Sequence, residues 1–315
     1  MFLLSDDGTN MPLDAETARA RFISVEVAEL VRDMLPNLQN LHRFGCDWYG
    51  PSYGIVSALS RELLHLHFAF DLDEEAVSGL RSLENLSKLR MISRAPISVG
   101  PVPVPPPHHH CKSLKKWPSI LSRLYLLEGP ECCARILVPG RTITSLFVSS
   151  IVCLKHAREI LAPPVKGVPI KVLLLHMNTR REAVLDTISR YTSLENIFLR
   201  DVTNSSTGGL AATEASVRLF ICSLPRLKQF ILTTTMDAGF RPDELDEKGI
   251  HDMFKRWTDP AAKSLEHIRL RKVVNVPHPS IPRLVGALVI WTAEWTRSFG
   301  VRVIPSVRLP MNNSQ

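Results

Sequence analysis

Cysteine is scarce in this chain of 315 residues: there are six, at positions 46, 111, 132, 133, 153 and 222, and no Cys-x-x-Cys pair among them. That density excludes a disulfide scaffold and offers no zinc-ribbon or zinc-finger spacing, so reduced thiols in an intracellular protein are expected. Long apolar runs are missing too. The most apolar C-terminal stretch, from Leu284 to Trp295, contains Glu294 and is followed by Arg297, too short a run to span a bilayer. The opening Met1-Phe2-Leu3-Leu4 gives way at once to Ser5-Asp6-Asp7, which does not read as a signal peptide. A cytoplasmic or nuclear protein with no membrane partner is the expectation. Charge of one sign does not accumulate either. The 38 Lys and Arg are interspersed with 31 Asp and Glu, a net +7 without a basic tract, which argues against a dedicated nucleic-acid binder. The motifs HExxH, GxSxG, GxGxxG and GxxxxGK[ST] do not occur, so no enzyme and no cofactor are expected from motif chemistry.

What is present is a globular composition, 45% hydrophobic and 22% charged, with enough apolar material for a sizeable core. Much of it recurs as a hexad, apolar-x-x-apolar-x-apolar. The hexads read Leu38, Leu41 and a defective Arg43; Leu63, Leu66, Phe68; Leu86, Leu89, Met91; Leu121, Leu124, Leu126; and Ile143, Leu146, Val148. They continue as Ile170, Leu173, Leu175; Leu194, Ile197, Leu199; Leu227, Phe230, Leu232; and Leu265, Ile268, Leu270. Several intervals fall in the range of about 20–29 residues of leucine-rich repeats, and the others require insertions. The last two apolar positions of a hexad are two apart, so on a strand they share a face, and the first turns inward just upstream. One short parallel strand per repeat would then stack on its neighbours. Helical returns are expected at 183–191, 213–222 and 245–257, where apolar residues step by three and four. The fold class expected is α/β: a degenerate leucine-rich-repeat-type solenoid of short parallel strands with helical returns, lacking the regular Asn ladder. An open α/β sheet fits the same alternation.

Residues 1–26 read as an N-terminal polar segment or cap, 27–274 as the repeat body, and 275–315 as a capping helix and tail. Within the body, 96–111 is a proline-rich loop, because its prolines forbid helix and central strand alike. The stretch 203–209 reads as a flexible loop and 275–282 as a proline-bearing separator. A helix is expected over 283–299, with Trp291, Trp295 and Phe299 on one face, followed by a short edge strand at 301–304.

Three groups invite a chemical reading. His108-His109-His110-Cys111 carries metal-ligand chemistry, but adjacent residues on an extended chain splay apart, so a solvated basic loop is expected. Asp71, Asp73, Glu74 and Glu75 suit a helix first turn better than an acid–base pair. His65, His67, His176 and His267 lie on or beside strands and read as structural. The third group is the column between the second and third hexad positions: His42, His67, Arg90, Tyr125, Phe147, Leu174, Phe198, Ile231 and Arg269. In a solenoid this column faces the open sheet surface. Its apolar run makes Tyr125, Phe147, Leu174, Phe198, Ile231 and Arg269 candidate partner-binding residues, unless a loop or the C-terminal helix covers them. The alternative is an α/β enzyme with a pocket at the strand C-terminal ends, drawing on His176, Asp201 and Asp71.

The segments LPNLQNLHRF, LSRLYLLEGPECCARILVPGRTITSLFVSS, SLENIFLRDV, SLPRLKQFIL and SLEHIRLRKV together make the chain resemble the leucine-rich-repeat-like region of fungal, mushroom-type F-box proteins over residues 27–273. The F-box pattern itself is not found before the first hexad. The resemblance implies a non-enzymatic protein-interaction scaffold, the substrate-recognition part of a cullin-type ubiquitin ligase. Its partners would be a cullin-ligase adaptor and a substrate protein.

Overall fold

The structure, a computed structural model, describes residues 25–47, 51–69, 72–91, 121–139, 141–161, 170–177, 181–201, 210–235, 245–258, 263–278 and 281–304. The chain divides into two compact units. The first comprises residues 1–150, 158–169 and 277–286, and the second 151–157, 170–276 and 287–315. The expected loops 96–111 and 203–209, the His108–Cys111 group, Asp71 and the tail 310–315 lie outside the described residues.

In the first unit, helix α1 (Val25–Met34) precedes five strands: β1 (Arg43–Cys46), β2 (His65–Phe68), β3 (Lys88–Met91), β4 (Leu126–Gly129) and β5 (Ser145–Val152). Each pairs in parallel with the next, in sequence order. Helices α2 (Ile55–Ala58), α3 (Glu74–Leu80), α4 (Glu131–Leu137) and α5 (Leu154–Ile160) follow β1, β2, β4 and β5. The hexad residues supply the buried face: Leu63, Leu86, Leu89, Leu124 and Leu146 have no exposed surface. Each such leucine contributes about 1.5–3 kcal/mol by leaving water.

One backbone device recurs at the entrances of β2 to β5. The carbonyl of one repeat accepts two consecutive N–H groups from the next. Leu64 and His65 donate to the His42 carbonyl, Ser87 and Lys88 to that of Leu64, Tyr125 and Leu126 to that of Ser87, and Thr144 and Ser145 to that of Tyr125. This aligns the repeats independently of side chains, and it corrects the hexad phase in two of them. Leu127, not Leu124, pairs with Leu89, and Phe44, not Leu41, pairs with Leu66. The inward sets are therefore Leu41, Phe44, Cys46 and Leu124, Leu127, Gly129. The slip has a physical origin. The full motif is apolar-x-x-apolar-x-x-apolar-x-apolar, because a turn three residues earlier also inserts a side chain, as Leu83 does before Leu86 and Leu121 before Leu124. A hexad frame then matches at two offsets, and an outward Leu126 happened to complete the wrong one.

Asp73 confirms the helix-start reading of the acidic run. Its carboxylate accepts from the Ala76 N–H at 2.8 Å as the N-cap of α3, with Glu74 and Glu75 in the first turn. It also accepts from the Ser52 N–H at 2.8 Å and the Ser52 hydroxyl at 2.6 Å, tying α3 to the loop before α2. The two helices approach so closely that a Cβ on Gly79 would lie 2.5 Å from the Ser57 nitrogen and 2.6 Å from the Val56 carbonyl carbon.

In the second unit, β6 (Val172–Met177), β7 (Asn196–Asp201), β8 (Gln229–Thr235) and β9 (His267–His278) are parallel and consecutive, with the hexads in the expected register. The entrance device continues from Lys171 to Glu195, Lys228 and Glu266. The helical returns are α6 (Arg181–Ser189), α7 (Leu210–Ser223) and α8 (Glu247–Thr258). Their buried residues, among them Val184, Leu185 and Ile188, then Val217, Phe220 and Ile221, then Ile250, Met253, Phe254 and Trp257, complete the core on the hexad side of the sheet. The Phe220 ring of α7 lies 5.9 Å from that of Phe230 on β8. On α7, Leu219 is 72% exposed, whereas Ile221 is fully buried.

The C-terminal region departs from expectation. Residues 283–299 do not form a helix, and within the expected separator 275–278 and 281–282 lie in strands. The chain runs in β9 to His278, then in β10 (Ile281–Thr296), which pairs antiparallel with β11 (Gly300–Ile304), the one piece expected there as a strand. The reason lies in the spacing: residues four apart share a face on a helix and also on a strand, so Trp291, Trp295 and Phe299 could not distinguish the two. The β-branched and aromatic content of 289–296 favours the strand. Trp291 and Ala293 are buried, whereas Phe299 is 92% exposed in the β10–β11 turn and caps nothing.

Candidate functional site

In the second unit the hexads and helices occupy one side of the sheet, and the alternate residues of each strand stand on the other. Alternation is strict in β6, where Leu173, Leu175 and Met177 are buried and Val172, Leu174 and His176 are half-buried. Because the parallel strands are paired without slippage, the outward residues form rows across them. The first row is Val172, Asn196, Gln229, His267; the second is Leu174, Phe198, Ile231, Arg269; the third is His176, Arg200, Thr233, Arg271. The candidates Leu174, Phe198, Ile231 and Arg269 are thus brought together as neighbours. Leu174 and Phe198 are half-buried and Ile231 is 9% exposed.

The other candidates stand elsewhere. Phe147 is in the first unit, where its row partners are Glu128, Arg90, His67 and Gly45. Tyr125 is not in that row: it sits at the strand entrance, 38% exposed, with the Lys88 ammonium 5.8 Å from its ring centroid. Glu128 holds the position assigned to it, and Gly45 holds the one assigned to His42. The expected apolar run therefore loses its first member, Tyr125, to Glu128, which accepts from Arg90 Nε at 2.6 Å. His67 in the same row lies 3.5 Å from Asp47, and its pKa is lowered by burial against the pull of that carboxylate.

The second unit's rows end in an ionic cluster that the single column did not reveal. Glu294 on β10 meets His267 Nε2 at 3.1 Å and Arg269 at 3.2 Å, and His267 Nδ1 lies 3.0 Å from the Gln229 amide. Burial lowers the His267 pKa, Arg269 adds to this, and Glu294 opposes it. Burial also lowers the pKa of Arg200, and that of Arg271, where Arg269 adds and Glu294 opposes. His176 is pushed down to about 4 by burial and by the Arg200 charge across the strand pair, so it is neutral at physiological pH. Among the described outward positions of β6–β11, Glu294 is the one carboxylate. It contacts Arg269, acts on Arg271 across the same face, and pairs in register with Arg302 on β11. Outward residues two places either side of the middle column carried this signal in the sequence.

The enzyme alternative gathers little. His176 pairs with Arg200, while Asp201 pairs at Cα with Met177 and Thr234, the opposite phase of the strand. Among the described residues, no group of three or more His, Cys, Asp or Glu side chains could hold a metal ion. Nor is any helix among them long and apolar enough to cross a membrane. The chain is an α/β protein whose strands are mostly parallel. No family model matches its sequence, and no curated protein matches it either.

Proposed function

We propose that this chain is a non-enzymatic protein-interaction scaffold, built as a degenerate leucine-rich-repeat-type solenoid. In this reading it is the substrate-recognition part of an F-box-like receptor in a cullin-type ubiquitin ligase. The observation that carries the interaction role is the outward face of the second unit, where half-buried Leu174 and Phe198 stand beside buried Ile231 in an apolar row against cationic neighbours, opposite the helix-covered core. Apolar side chains held in a row by a rigid sheet present contact area at little entropic cost, which is what an interaction hot spot requires. The ligase assignment rests on the resemblance of residues 27–273 alone.

The test is affinity capture from the native cell with the chain and its Phe198→Glu variant. A specific partner retained by the parent and lost by the variant, with an unchanged melting temperature, is the expected result. Co-purification of a cullin adaptor supports the ligase assignment, and its absence removes that assignment. A partner that survives Phe198→Glu removes this face as the docking surface.

A further inference from the structure

We propose that the row Arg43–His65–Lys88, on the outward face of the first unit, receives a phosphate group carried by a serine or threonine side chain of a protein partner. This surface uses other residues than the apolar row of the second unit, and it stands or falls apart from that row.

Position supplies the first reason. Arg43, His65 and Lys88 are register partners on β1, β2 and β3, each at the outward phase of its strand. Arg43 is exposed, and His65 and Lys88 are half-buried. Two long cationic side chains thus flank a shorter imidazole, with about 10 Å between their Cα atoms. Side chains of that length reach over His65 toward a single anion.

Charge supplies the second. Among the described residues, neither the Arg43 guanidinium nor the Lys88 ammonium has a carboxylate partner. The Lys88 ammonium lies 5.8 Å from the Tyr125 ring centroid. Burial lowers the His65 pKa, and the Lys88 and Arg43 charges lower it further, with no carboxylate opposing them. One row on, the balance differs: Glu128 accepts from Arg90 Nε at 2.6 Å, and Asp47 lies 3.5 Å from His67. Those carboxylates are engaged in their own row, and positive charge remains at Arg43 and Lys88. A phosphorylated side chain carries a charge of about −1.5 to −2 and three acceptor oxygens. The guanidinium fork, the ammonium and the imidazole match those three oxygens, where a carboxylate offers two.

The same face decides what carries the phosphate. Beyond Lys88 the row continues with Leu126 and Ser145, so a nucleic-acid backbone would leave the cations after one or two phosphates. The face is also open: a Cβ on Gly45, two residues after Arg43, would meet nothing within 4 Å. An open face covers little of a free metabolite. A docked protein adds contacts around its phosphate, and Tyr125, 38% exposed, borders the row beside Lys88.

The test screens a degenerate peptide library with a fixed central phosphoserine or phosphothreonine on the full chain. The selected peptides, with and without their phosphate, are titrated against the parent and against Arg43→Gln/Lys88→Gln, Arg43→Lys/Lys88→Arg and Phe198→Glu variants whose folding is verified by circular dichroism. Should the glutamine double variant fail to fold, Arg43→Gln alone, on an exposed residue, takes its place. Binding is expected to require the phosphate and to weaken about tenfold or more on the glutamine double variant. It should persist on the charge-conserving variant and on Phe198→Glu. The bound phosphopeptide should also raise the His65 pKa in an NMR titration, because it offsets the two charges that lower it. No selection, equal binding of the unphosphorylated peptides, or indifference to the glutamine variant overturns the proposal. Phosphopeptides lost on Phe198→Glu instead overturn this site in favour of the second unit's face. A labelled oligouridylate or inorganic phosphate that binds more tightly than the peptides, and is lost on the same glutamine variant, overturns the protein carrier.

Discussion

Leu173 and Leu174 are adjacent leucines on one strand, yet truncating each to alanine has very different expected effects. Leu173 has no exposed surface and pairs with Ile197, itself fully buried, on the helix side of the sheet. Removing three carbons there forfeits about 0.8 kcal/mol per methylene, and the cavity left among rigid neighbours adds to it, for a total of about 2–5 kcal/mol. In a body of this size each kcal/mol moves the melting temperature by about 2–4 °C, so Leu173→Ala lowers it by roughly 4–20 °C. Leu174 is half-buried on the opposite face, where truncation leaves a solvent-filled notch instead of a sealed void. Leu174→Ala is expected to cost less than about 1 kcal/mol in stability while weakening partner capture. Urea titrations give the free energies, and thermal melts give a second reading on the same variants. Equal losses at the two positions, or the larger loss at Leu174, would falsify the face assignment on which the partner surface depends.

Other consequences are more local. Gly79→Ala puts a methyl against backbone atoms of Val56 and Ser57, 2.5–2.6 Å away, and is expected to cost about 1–3 kcal/mol by chemical denaturation; a neutral outcome would mean that α2 and α3 do not approach as described. His176, with its pKa lowered to about 4 against 6.5 in the unfolded chain, is neutral in the native state where the unfolded chain becomes protonated. Its neutrality therefore carries no penalty above about pH 7, and stability is lost as pH falls from 6.5 toward 4, by up to about 3 kcal/mol. An NMR titration should find its imidazole still uncharged at pH 5, and a midpoint near 6.5 would contradict the burial described.

Legibility in the sequence followed periodicity. The strands of the second unit were readable because each hexad there is complete, whereas the frame three residues earlier ends on a polar residue at Asn196, Gln229 and His267. In the first unit the same rule slipped by three at Leu38 and Leu121: Leu121 is buried one turn upstream and Leu126 completes the earlier frame, whereas Leu38 is 46% exposed and its frame already fails at Arg43. Hydrogen bonding at the strand entrances fixes the frame, and nothing in the side-chain pattern encodes it. The C-terminal strand was misread because an interval of four satisfies both secondary structures; Trp291 and Trp295 carried no discriminating information, whereas the β-branched residues around them did. At the candidate site, Leu174, Phe198, Ile231 and Arg269 were found from their column alone. The ionic cluster was missed because its members belong to neighbouring columns and to a strand expected to be a helix, so Glu294 had no reason to be placed beside His267 and Arg269.

A photo-crosslinking amino acid substituted at Phe198, with a second copy of the experiment labelled at Leu219 on the exposed face of α7, tests the central claim most directly. Irradiation in the native cell is predicted to join a specific protein to the Phe198 label and to leave the Leu219 label without that adduct. An adduct formed equally from both labels, or from Leu219 alone, would contradict the sheet face as the working surface.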